Sequence, residues 1–526
     1  MYKILVSDPL EATGLAMLRD AGHEVTELPG EERHRLPEII GEYDALVVRS
    51  GTKVTADLLR AGKRLRVVGR AGIGVDNVDI DAATELGILV VNAPTANLIS
   101  ATEHTFALML ALARNVSIAD SDVKSGAWNR KKWVGTELQG KTLGVVGFGR
   151  IGQQVARRAR VFDMKVLAYD PFLDADVVRR HEAEPRALDD LLAESDVITL
   201  HVPMTAETRG LLDADRIARL KSGALIVNCA RGGVIEEAPL LAALEEGRIA
   251  GAALDVFAVE PPEDFTLAKH PRVVATPHLG AQTREAQVRI STETAKMVVK
   301  ALDGSLAVTA VNLPFRPAGL TGEPFLRLAE KLGSLTSNLF DGSVKQLTVE
   351  LRGVDDELQV PITVAALKGA LARHQGESVN YVNAERIAAA RGVDIVRATS
   401  SELVDYPNLI AVRLTGTEGT VEAAGTLFYN RDARIVRLAG YDLEFRPKGS
   451  LLVVRNRDVP GVVGKLGTAL GEAGVNIAEI HLSRRSGSDE ALSVARLDQR
   501  PPQEFLASLR QLEEVVTADL VDVGQL

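Results

Sequence analysis

The sequence predicts an α/β protein with two doubly wound parallel-sheet lobes, then an α+β region and a C-terminal ferredoxin-like domain. Three observations support this fold class. Strand-like and helical segments alternate through residues 3–303, an order typical of parallel sheets with right-handed crossovers. A glycine-rich turn at Gly147–Gly152 stands between a strand-like and a helical segment. Residues 449–526 follow a βαββαβ order, which is typical of a ferredoxin-like fold.

The first lobe alternates strands and helices from the amino terminus. Its strand-like segments are short and apolar and lie at 3–6, 45–49, 65–68 and 89–92, with helical segments at 13–21 and 54–61. We expect a long helix from Ser100, because Ser100 and Glu103 have the spacing of an N-terminal capping box. An apolar face follows at helical spacing, at positions 106, 109, 110 and 113.

The glycine-rich turn is the strongest single indication of function. Gly147-Phe148-Gly149-Arg150-Ile151-Gly152 fits G-x-G-x-x-G, with a strand-like segment before it and a helical segment after it. The glycines allow close backbone approach, so a pyrophosphate can lie on the helix N-terminus. The next strand ends at Asp170, whose carboxylate can bind a ribose diol and would repel a 2′-phosphate. We therefore predict a Rossmann-like lobe that binds NAD; a plain tight turn is the alternative.

The late position of this turn indicates an inserted lobe. Further buried strands are expected at 166–169, 197–201, 224–228, 251–256 and 273–275. A last helix, at about 284–303, can return the chain to the first lobe. We expect a substrate-binding domain at 1–97 and 282–310, with the NAD-binding domain at 98–281 between its two parts. Two further domains are expected, at 314–446 and 449–526.

Composition restricts the classes of protein and partner. The chain of 526 residues is 46% hydrophobic and 25% charged, as in globular proteins, and its net charge of −10 argues against a nucleic-acid partner. The single cysteine, Cys229, excludes an internal disulfide framework and fits a reducing cytoplasm. No apolar run approaches the ~18 residues of a spanning helix. We expect a cytoplasmic protein with no membrane partner and no metal site.

Three polar side chains follow successive strands of the predicted NAD lobe: Arg231, Glu260 and His278. Ligands bind at the carboxyl ends of strands in open parallel sheets, so these side chains are expected beside the cofactor. Hydride transfer from a secondary alcohol needs a base, a partner for that base, and a cation that anchors the substrate. Each residue alone could be a surface charge, a solvated turn or an ordinary loop histidine. Together, in one sheet, they favour a catalytic set.

These segments resemble the D-2-hydroxyacid dehydrogenase family over roughly residues 1–310. The matching pieces are Gly69–Asp79, Asn92–Thr95, the glycine-rich turn and the segments that hold Arg231, Glu260 and His278. The resemblance implies that His278 accepts the proton while Glu260 raises its basicity and fixes its tautomer. It also implies that Arg231 binds the substrate carboxylate and polarises the C2 oxygen. Ile73 departs from the family, which often has a small polar residue there.

The same resemblance implies the contacts of the cofactor. Asp255 would lie near the nicotinamide amide, and Arg150 and Ile151 would meet the pyrophosphate. The other predicted cofactor contacts line the cleft: Gly147, Gly149, Gly152, Asp170, Cys229, Ala230, Arg231, His278, Leu279, Gly280 and Ala281. We interpret Cys229 as a packed wall rather than a nucleophile, because no base is evident for it.

Several cations are candidates for a second anionic group on the substrate. Arg49, next to Ser50, follows a strand of the first lobe and could face Arg231, and Gly72 lies in a family segment. Arg130 precedes two lysines in a loop between tryptophans. It could act in its own or a neighbouring subunit; a solvated loop is an equal alternative. Such a cluster would suit a phosphorylated substrate, because phosphate takes several charge-assisted hydrogen bonds.

The C-terminal region resembles the ACT domain, a sensor of small molecules. The resemblance rests on Asn456–Gly461 and Gly474–Ile477 and implies that Asp458 and Asn476 contact an amino-acid ligand; a plain packing module is the alternative. Residues 314–446 are similar to the intervening domain of long-form members of the dehydrogenase family. Together these domains imply NAD-dependent oxidation of 3-phosphoglycerate in serine synthesis, L-serine as effector, and a homo-oligomer, dimer or tetramer.

Two other functions stay open at this point. Another NAD-dependent D-2-hydroxyacid dehydrogenase, acting on glycerate or lactate, would share the whole core. A non-catalytic, nucleotide-sensing protein would bind NADH without turnover, although the complete set of Arg231, Glu260 and His278 argues against it.

Overall fold

The computed structural model describes residues 1–305, 309–315, 322–375, 378–400, 405–485, 487–502 and 504–524. The predicted domains that begin at 282, 314 and 449 therefore lie partly outside the described residues. The chain forms two compact units, the first of 1–54, 69–78 and 91–299 and the second of 55–68, 79–90 and 300–526. In the described part of the chain, no helix has both the length and the apolar character needed to span a bilayer.

The first sheet has five strands in the order β2-β1-β3-β4-β5, and both neighbours of β1 are parallel to it. They are β1 (Lys3–Val6), β2 (Glu24–Glu27), β3 (Ala45–Val48), β4 (Val67–Arg70) and β5 (Leu89–Asn92). The order reverses its winding between β1 and β3, which confirms a doubly wound lobe. Strand β2 was not predicted, because this edge strand is polar and half-exposed and carries no apolar run.

Four helices connect these strands: α1 (Ala12–Asp20), α2 (Leu36–Ile39), α3 (Ala56–Ala61) and α4 (Ile80–Glu85). Helix α3 begins two residues later than predicted. Val54 forms an isolated bridge with Val78, and the hydroxyl of Thr55 then accepts from the backbone N–H of Leu58 to cap the helix. The bridge therefore keeps Val54 extended.

The second sheet has seven strands in the order β12-β11-β10-β9-β6-β7-β8, and every pair is parallel. They are β6 (Thr142–Val146), β7 (Lys165–Tyr169), β8 (Glu184–Pro185), β9 (Val197–Leu200), β10 (Leu225–Asn228), β11 (Gly251–Leu254) and β12 (Val273–Ala275). The helices before and within it are α5 (Leu98–Ala113), α6 (Val116–Lys124), α7 (Arg150–Val161), α8 (Ala175–Arg180), α9 (Leu188–Glu194), α10 (Ala214–Arg219), α11 (Glu237–Glu245) and α12 (Thr266–Lys269).

The start of α5 differs from the prediction. The helix begins at Leu98, and the Ser100 hydroxyl donates to the carbonyl oxygen of Gly280 over 2.8 Å. The predicted capping box of Ser100 and Glu103 is therefore wrong, because Ser100 lies inside the helix and is used for a tertiary contact. The predicted apolar face is confirmed in part, since Phe106, Met109 and Ala113 are buried.

Helix α13 (Arg284–Leu302) returns the chain to the first sheet. The Ser291 hydroxyl accepts from the backbone N–H of Glu11 over 3.0 Å. A Cβ on Gly14 would lie 2.8 Å from the Cβ of Ser291, so α1 and α13 touch closely. The helix predicted at about 284–303 thus lies where the prediction placed it.

The second unit contains a six-stranded mixed sheet in the order β14-β13-β15-β16-β17-β18. Its helices are α14 (Glu323–Leu339), α15 (Gln359–Gln375) and α16 (Ala384–Ala390), and its strands are β13 (Val344–Arg352), β14 (Asp394–Ser400), β15 (Leu409–Gly416), β16 (Gly419–Phe428), β17 (Asp432–Leu438) and β18 (Tyr441–Phe445). Strand β14 pairs parallel with β13, and the other pairs are antiparallel. This confirms the predicted α+β character.

The C-terminal sheet is antiparallel, in the order β20-β21-β19-β22. Its elements are β19 (Ser450–Arg457), α17 (Val462–Glu472), β20 (Ile477–Arg484), β21 (Glu490–Leu497), α18 (Phe505–Leu509) and β22 (Val515–Asp522). The chain order βαββαβ with these neighbours is ferredoxin-like, as predicted. Leu451, Val494 and Val521 of this sheet belong to the same core as α14 and α15.

Two glycines allow α14 and α15 to pack with their backbones in close contact, so a larger residue at either position should destabilise the protein. A Cβ on Gly369 would clash with the carbonyl oxygen of Glu330, and one on Gly333 with that of Ala366. Gly369→Ala should therefore cost about 1–3 kcal/mol and lower the thermal unfolding midpoint of the second unit. The matched control is Gly464→Ala, at an exposed helical site with nothing within 4 Å, which should leave the midpoint unchanged or raise it. An unchanged midpoint for Gly369→Ala would refute the close packing.

Candidate active site

The imidazole of His278 is paired with the carboxylate of Glu260. The distance between Nδ1 and Oε2 is 2.7 Å, and the side chains are 49% and 37% exposed. This hydrogen bond raises the pKa of His278 above its ordinary value against the effect of burial, and the charges of Glu260 and Asp255 add to the rise. Because Nδ1 faces Glu260, Nε2 is the nitrogen left to exchange a proton with a ligand.

The loop that carries His278 is held from below by Asp255. The Asp255 side chain is 1% exposed, and its carboxylate accepts from the backbone N–H groups of Leu279 (2.7 Å) and Gly280 (2.8 Å). The Asp255 carbonyl oxygen accepts from the N–H of His278 over 2.8 Å. His278 has a φ of 55°, in the left-handed region, and these bonds keep it there.

Two side chains complete the shell of the Asp255 carboxylate. The hydroxyl of Thr276 donates to Oδ1 over 2.6 Å, and Nε2 of His104 lies 3.1 Å from the same oxygen. Burial alone would raise the pKa of Asp255, but hydrogen bonds from His104, Thr276 and Leu279 outweigh it and hold the pKa below its usual value. The described donors of this carboxylate are thus the His278 loop in front of it and the side chains of His104 and Thr276 behind it.

Arg231 is fixed by the turn after β10. The Asn228 side chain accepts from the N–H of Ala230 and donates to the Arg231 carbonyl oxygen. The Arg231 guanidinium donates through Nε to Asp76 (3.0 Å) and through Nη1 to the Ala230 carbonyl oxygen (2.7 Å). A Cβ on Gly74 would clash with Nη2, so the guanidinium lies against that glycine.

Arg231 belongs to a cluster of cations with Arg49 and Arg70. Burial, together with the neighbouring charges of Arg231 and Arg49, lowers the pKa of Arg70 to about 10, against the opposing charges of Asp76 and Asp8. Asn77 joins the cluster, because its amide group donates to the Arg49 carbonyl oxygen (2.6 Å). A guanidinium stays protonated at neutral pH even at that pKa, so the three side chains can attract an anion.

Arg70 was not among the predicted site residues. Arg70 is the last residue of β4, and Arg49 directly follows β3. The expectation that ligands bind at the carboxyl ends of parallel strands, which predicted Arg231, would therefore also have predicted Arg70. A Cβ on Gly72 would overlap Nη1 of Arg70, so the guanidinium needs a glycine at this predicted site position. Gly72 also has a φ of 148°. Ser50 is exposed beside Arg49. Arg130 is exposed in the loop between α6 and β6, and its described contacts do not include the three arginines.

The glycine-rich turn forms a cradle at the reversal of winding between β6 and β9. Gly147 has a φ of 90°, and a Cβ there would lie 2.7 Å from the carbonyl carbon of His201, just after β9. A Cβ on Gly152 would clash with the Gly147 carbonyl oxygen, whereas one on Gly149 would meet nothing within 4 Å. The open side at Gly149 leads to the uncapped N-terminus of α7, which fits a pyrophosphate.

The other predicted cofactor residues surround this cradle. The Asp170 carboxylate accepts from the N–H groups of Phe148 (2.9 Å) and Phe172 (3.0 Å), and each oxygen keeps a lone pair for a ribose hydroxyl. Arg150 is exposed at the first residue of α7, and Ile151 packs against the core below. Burial raises the pKa of the Cys229 thiol to about 12, so the thiol stays protonated and packs as a wall.

The two predicted effector residues lie at opposite ends of the C-terminal sheet, since Arg457 pairs with Glu490 at one end of β21 and Ile477 pairs with Leu497 at the other. Asp458 follows β19 and is paired with Arg484 over 3.0 Å, and Asn476 precedes β20 and donates to Asp498 over 2.6 Å. Gly461, with a φ of 94°, precedes α17, whose N-terminus has no side-chain cap. This leaves backbone N–H groups near Asp458 that suit a carboxylate.

Three family models match successive parts of this chain. Residues 106–280 match the family model described as D-isomer specific 2-hydroxyacid dehydrogenase, NAD binding domain. Residues 322–439 match the D-3-phosphoglycerate dehydrogenase intervening domain, and residues 450–514 match the ACT domain.

Two relatives that match along almost the whole chain are both named D-3-phosphoglycerate dehydrogenase. The D-3-phosphoglycerate dehydrogenase of Bacillus subtilis is 40% identical, over 99% of this chain and 100% of its own. That of Methanocaldococcus jannaschii is 41% identical, with the same coverage. Among solved structures, D-lactate dehydrogenase from Aquifex aeolicus, complexed with NAD and lactic acid, is 31% identical with a TM-score of 0.52. That match covers 57% of this chain and 96% of the other. The chain therefore belongs to the D-3-phosphoglycerate dehydrogenase family, within the D-isomer specific 2-hydroxyacid dehydrogenases.

Proposed function

We propose that this protein oxidises 3-phospho-D-glycerate to 3-phosphooxypyruvate with NAD, the first step of L-serine synthesis. The observation that carries the proposal is the His278–Glu260 pair beside Arg231, at the carboxyl edge of a sheet whose glycine cradle fits a dinucleotide. The names of the full-length relatives support the same substrate.

The proton is handled by His278. Its Nδ1–H donates to Glu260, so the lone pair of Nε2 takes the proton of the C2 hydroxyl group. Glu260 stabilises the imidazolium that forms, and the raised pKa of His278 makes it a stronger base. Bound NAD supplies the acceptor for the hydride that leaves C2. Arg231 binds the substrate carboxylate and polarises the C2 oxygen.

The second anionic group of the substrate is held by the cations of the first lobe. The phosphate pairs with Arg49 and Arg70, next to Ser50 and Gly72, and Arg130 adds a contact from its own or a neighbouring subunit. Charge-assisted hydrogen bonds from several guanidinium groups suit a phosphate dianion. The net charge of the chain is −10, so this local cluster, rather than the overall field, attracts the substrate.

The remaining parts of the chain serve the same reaction. Residues 1–97 and 282–310 bind the substrate, and 98–281 bind NAD through the glycine cradle, Asp170 and the residues that line the cleft. Residues 314–446 and 449–526 are regulatory. Asp458 and Asn476, at opposite ends of the C-terminal sheet, bind L-serine between paired copies of this domain. The protein works in the cytoplasm, since its single cysteine fits a reducing compartment. It works as a homo-oligomer, as the resemblance to the dehydrogenase family implies.

The catalytic pair predicts a specific pH dependence. Substrate oxidation needs neutral His278, so kcat/KM should rise with pH through a pKa above that of free histidine. His278→Ala should lower kcat by about 10²–10⁴-fold. Glu260→Gln removes the charge that raises the pKa, so its acidic limb should move to lower pH while kcat falls. Steady-state NADH formation from pH 5 to 10 measures both. Normal turnover in His278→Ala would refute the assigned base.

The cation cluster predicts the choice of substrate. Arg49→Ala removes a charged hydrogen bond to the phosphate and should raise KM for 3-phosphoglycerate by about 10–100-fold, with little effect on D-glycerate. Arg60→Ala, at an exposed arginine paired with Asp57, is the control. If Arg49→Ala is neutral and glycerate or lactate is the faster substrate, another hydroxyacid dehydrogenase is indicated. NADH binding with no turnover of any hydroxy acid would indicate the nucleotide-sensing protein.

The C-terminal domain predicts an effect of L-serine. Serine should lower the rate of NADH formation, and Asp458→Ala or Asn476→Ala should abolish its effect without changing basal turnover. Glu418→Ala, at an exposed turn outside this domain, should keep the response. Calorimetry with serine, with glycine as a matched ligand, tests binding directly. The regulatory proposal fails if serine neither binds nor changes the rate.

A further inference from the structure

A buried polar cluster lies behind the His278 loop, and one of its members comes from a helix outside the strand ends. His104 lies in the middle of α5, where its side chain is 17% exposed. Its Nε2 is 3.1 Å from Oδ1 of Asp255 and 3.2 Å from the hydroxyl oxygen of Thr276. Helix α5 also buries the hydroxyl groups of Ser100, Thr102 and Thr105, but its other titratable side chain, Glu103, is exposed. His104 is therefore an exception among the titratable residues of its helix.

The cluster holds a carboxylate where a charge is costly. Asp255 is almost wholly buried, and an ionised carboxylate in such a place needs several donors. Two of its donors are the N–H groups of Leu279 and Gly280, which directly follow the proposed base. The other two, Thr276 and His104, share the oxygen that also binds Leu279. Removing a side-chain donor therefore takes away stabilisation of the ionised carboxylate that the two loop amides bind.

We propose that His104 is a positioning residue, whose Nε2–H donor keeps Asp255 ionised and aligned so that the His278 loop stays in its catalytic conformation. The proposal rests on the proposed function, because it assigns a part in the same hydride transfer. His104 acts through Asp255 and contacts neither substrate nor base. The tautomer follows from the partner, since a carboxylate oxygen at 3.1 Å requires a proton on Nε2.

A metal site is the alternative chemistry for these residues. Ligand atoms of His104, Cys229 and Asp255 lie within 4.8 Å of one another. A metal would need the carboxylate lone pairs that the loop amides use, and it would need the thiolate form of a cysteine that burial keeps protonated. The donor set therefore fits a hydrogen-bonded cluster better than a cation.

The test compares substitutions that keep the donor with substitutions that remove it. His104→Gln places an amide N–H near Nε2, whereas His104→Leu keeps volume and loses the donor. We expect His104→Leu to lower kcat at least tenfold with KM for 3-phosphoglycerate within twofold, and His104→Gln to stay within threefold of wild type. Phe106→Leu, a buried change in the same helix away from the loop, should lower the melting temperature but leave kcat unchanged.

The pH profile separates positioning from packing. The charges that face His278 are those of Glu260, Asp255 and Arg231, and the first two raise its pKa. A loosened loop in His104→Leu should bring the acidic limb of kcat/KM to lower pH, towards that of free histidine. If this variant does not fold, Thr276→Val removes the other side-chain donor to Oδ1 of Asp255, whereas Thr276→Ser keeps it. Only Thr276→Val should then lower kcat and shift the acidic limb.

The outcomes distinguish this proposal from the proposed function. A wild-type enzyme inactive with NAD and 3-phosphoglycerate overturns the function itself. An active wild type with equal kcat values for His104→Leu and Phe106→Leu, with no rescue by Gln, or with an unmoved acidic limb overturns the role of His104 alone.

Discussion

The reversal of winding between β6 and β9 is the constraint on which the cofactor cleft and the proposed catalytic residues depend. Parallel pairing brings the carboxyl ends of β6, β9, β10, β11 and β12 to one edge of the sheet. The loops after β6 and β9 run to opposite faces of the sheet and leave a crevice between them. The glycines of the turn carry no side chains, so its backbone can line this crevice and leave it open to a ligand. The loops after the other three strands supply Arg231, Asp255 and His278 to the same edge. Sequence distance among these residues is therefore no measure of their separation.

A balance of charge allows Arg49 and Arg70 of the first lobe to lie near Arg231 of the NAD-binding lobe. Guanidinium groups repel one another, and the lowered pKa of Arg70 reflects that repulsion together with burial. Asp76 pairs with Arg231, and the buried Asp8 binds Arg33 and accepts from the backbone N–H of Arg49. These acids neutralise only part of the cluster. The proposed anionic substrate would therefore meet a cluster that still carries excess positive charge.

Much of the site was predictable from the sequence because parallel sheets obey a strand-end rule. Arg231, Glu260, His278 and the glycine turn follow from strands that are apolar and easy to recognise. Ser100 was misplaced because its spacing from Glu103 imitates a local cap, whereas its hydroxyl serves a residue 180 positions away. His104 was missed for a similar reason: a histidine in an apolar helix carries no local signal, and its partner Asp255 becomes a neighbour only when α5 packs on the sheet. Local patterns therefore do not reveal which polar side chains are used over long range.

The exposure of the catalytic pair explains why a charge is buried beneath it. In the proposed mechanism His278 and Glu260 must reach the substrate, and both side chains are partly open to solvent, so packing does not fix them. Their order has to come from the backbone of the loop, where the N–H groups of Leu279 and Gly280 turn inward. An apolar residue in place of Asp255 would be easier to bury, but it would leave these two amides unpaired at a cost of about 1–3 kcal/mol each. A carboxylate satisfies both amides, and its charge also raises the pKa of His278. The energetic penalty of burying Asp255 is thus offset by the donors from α5 and β12, and the result is a base whose position and basicity are set by the same group.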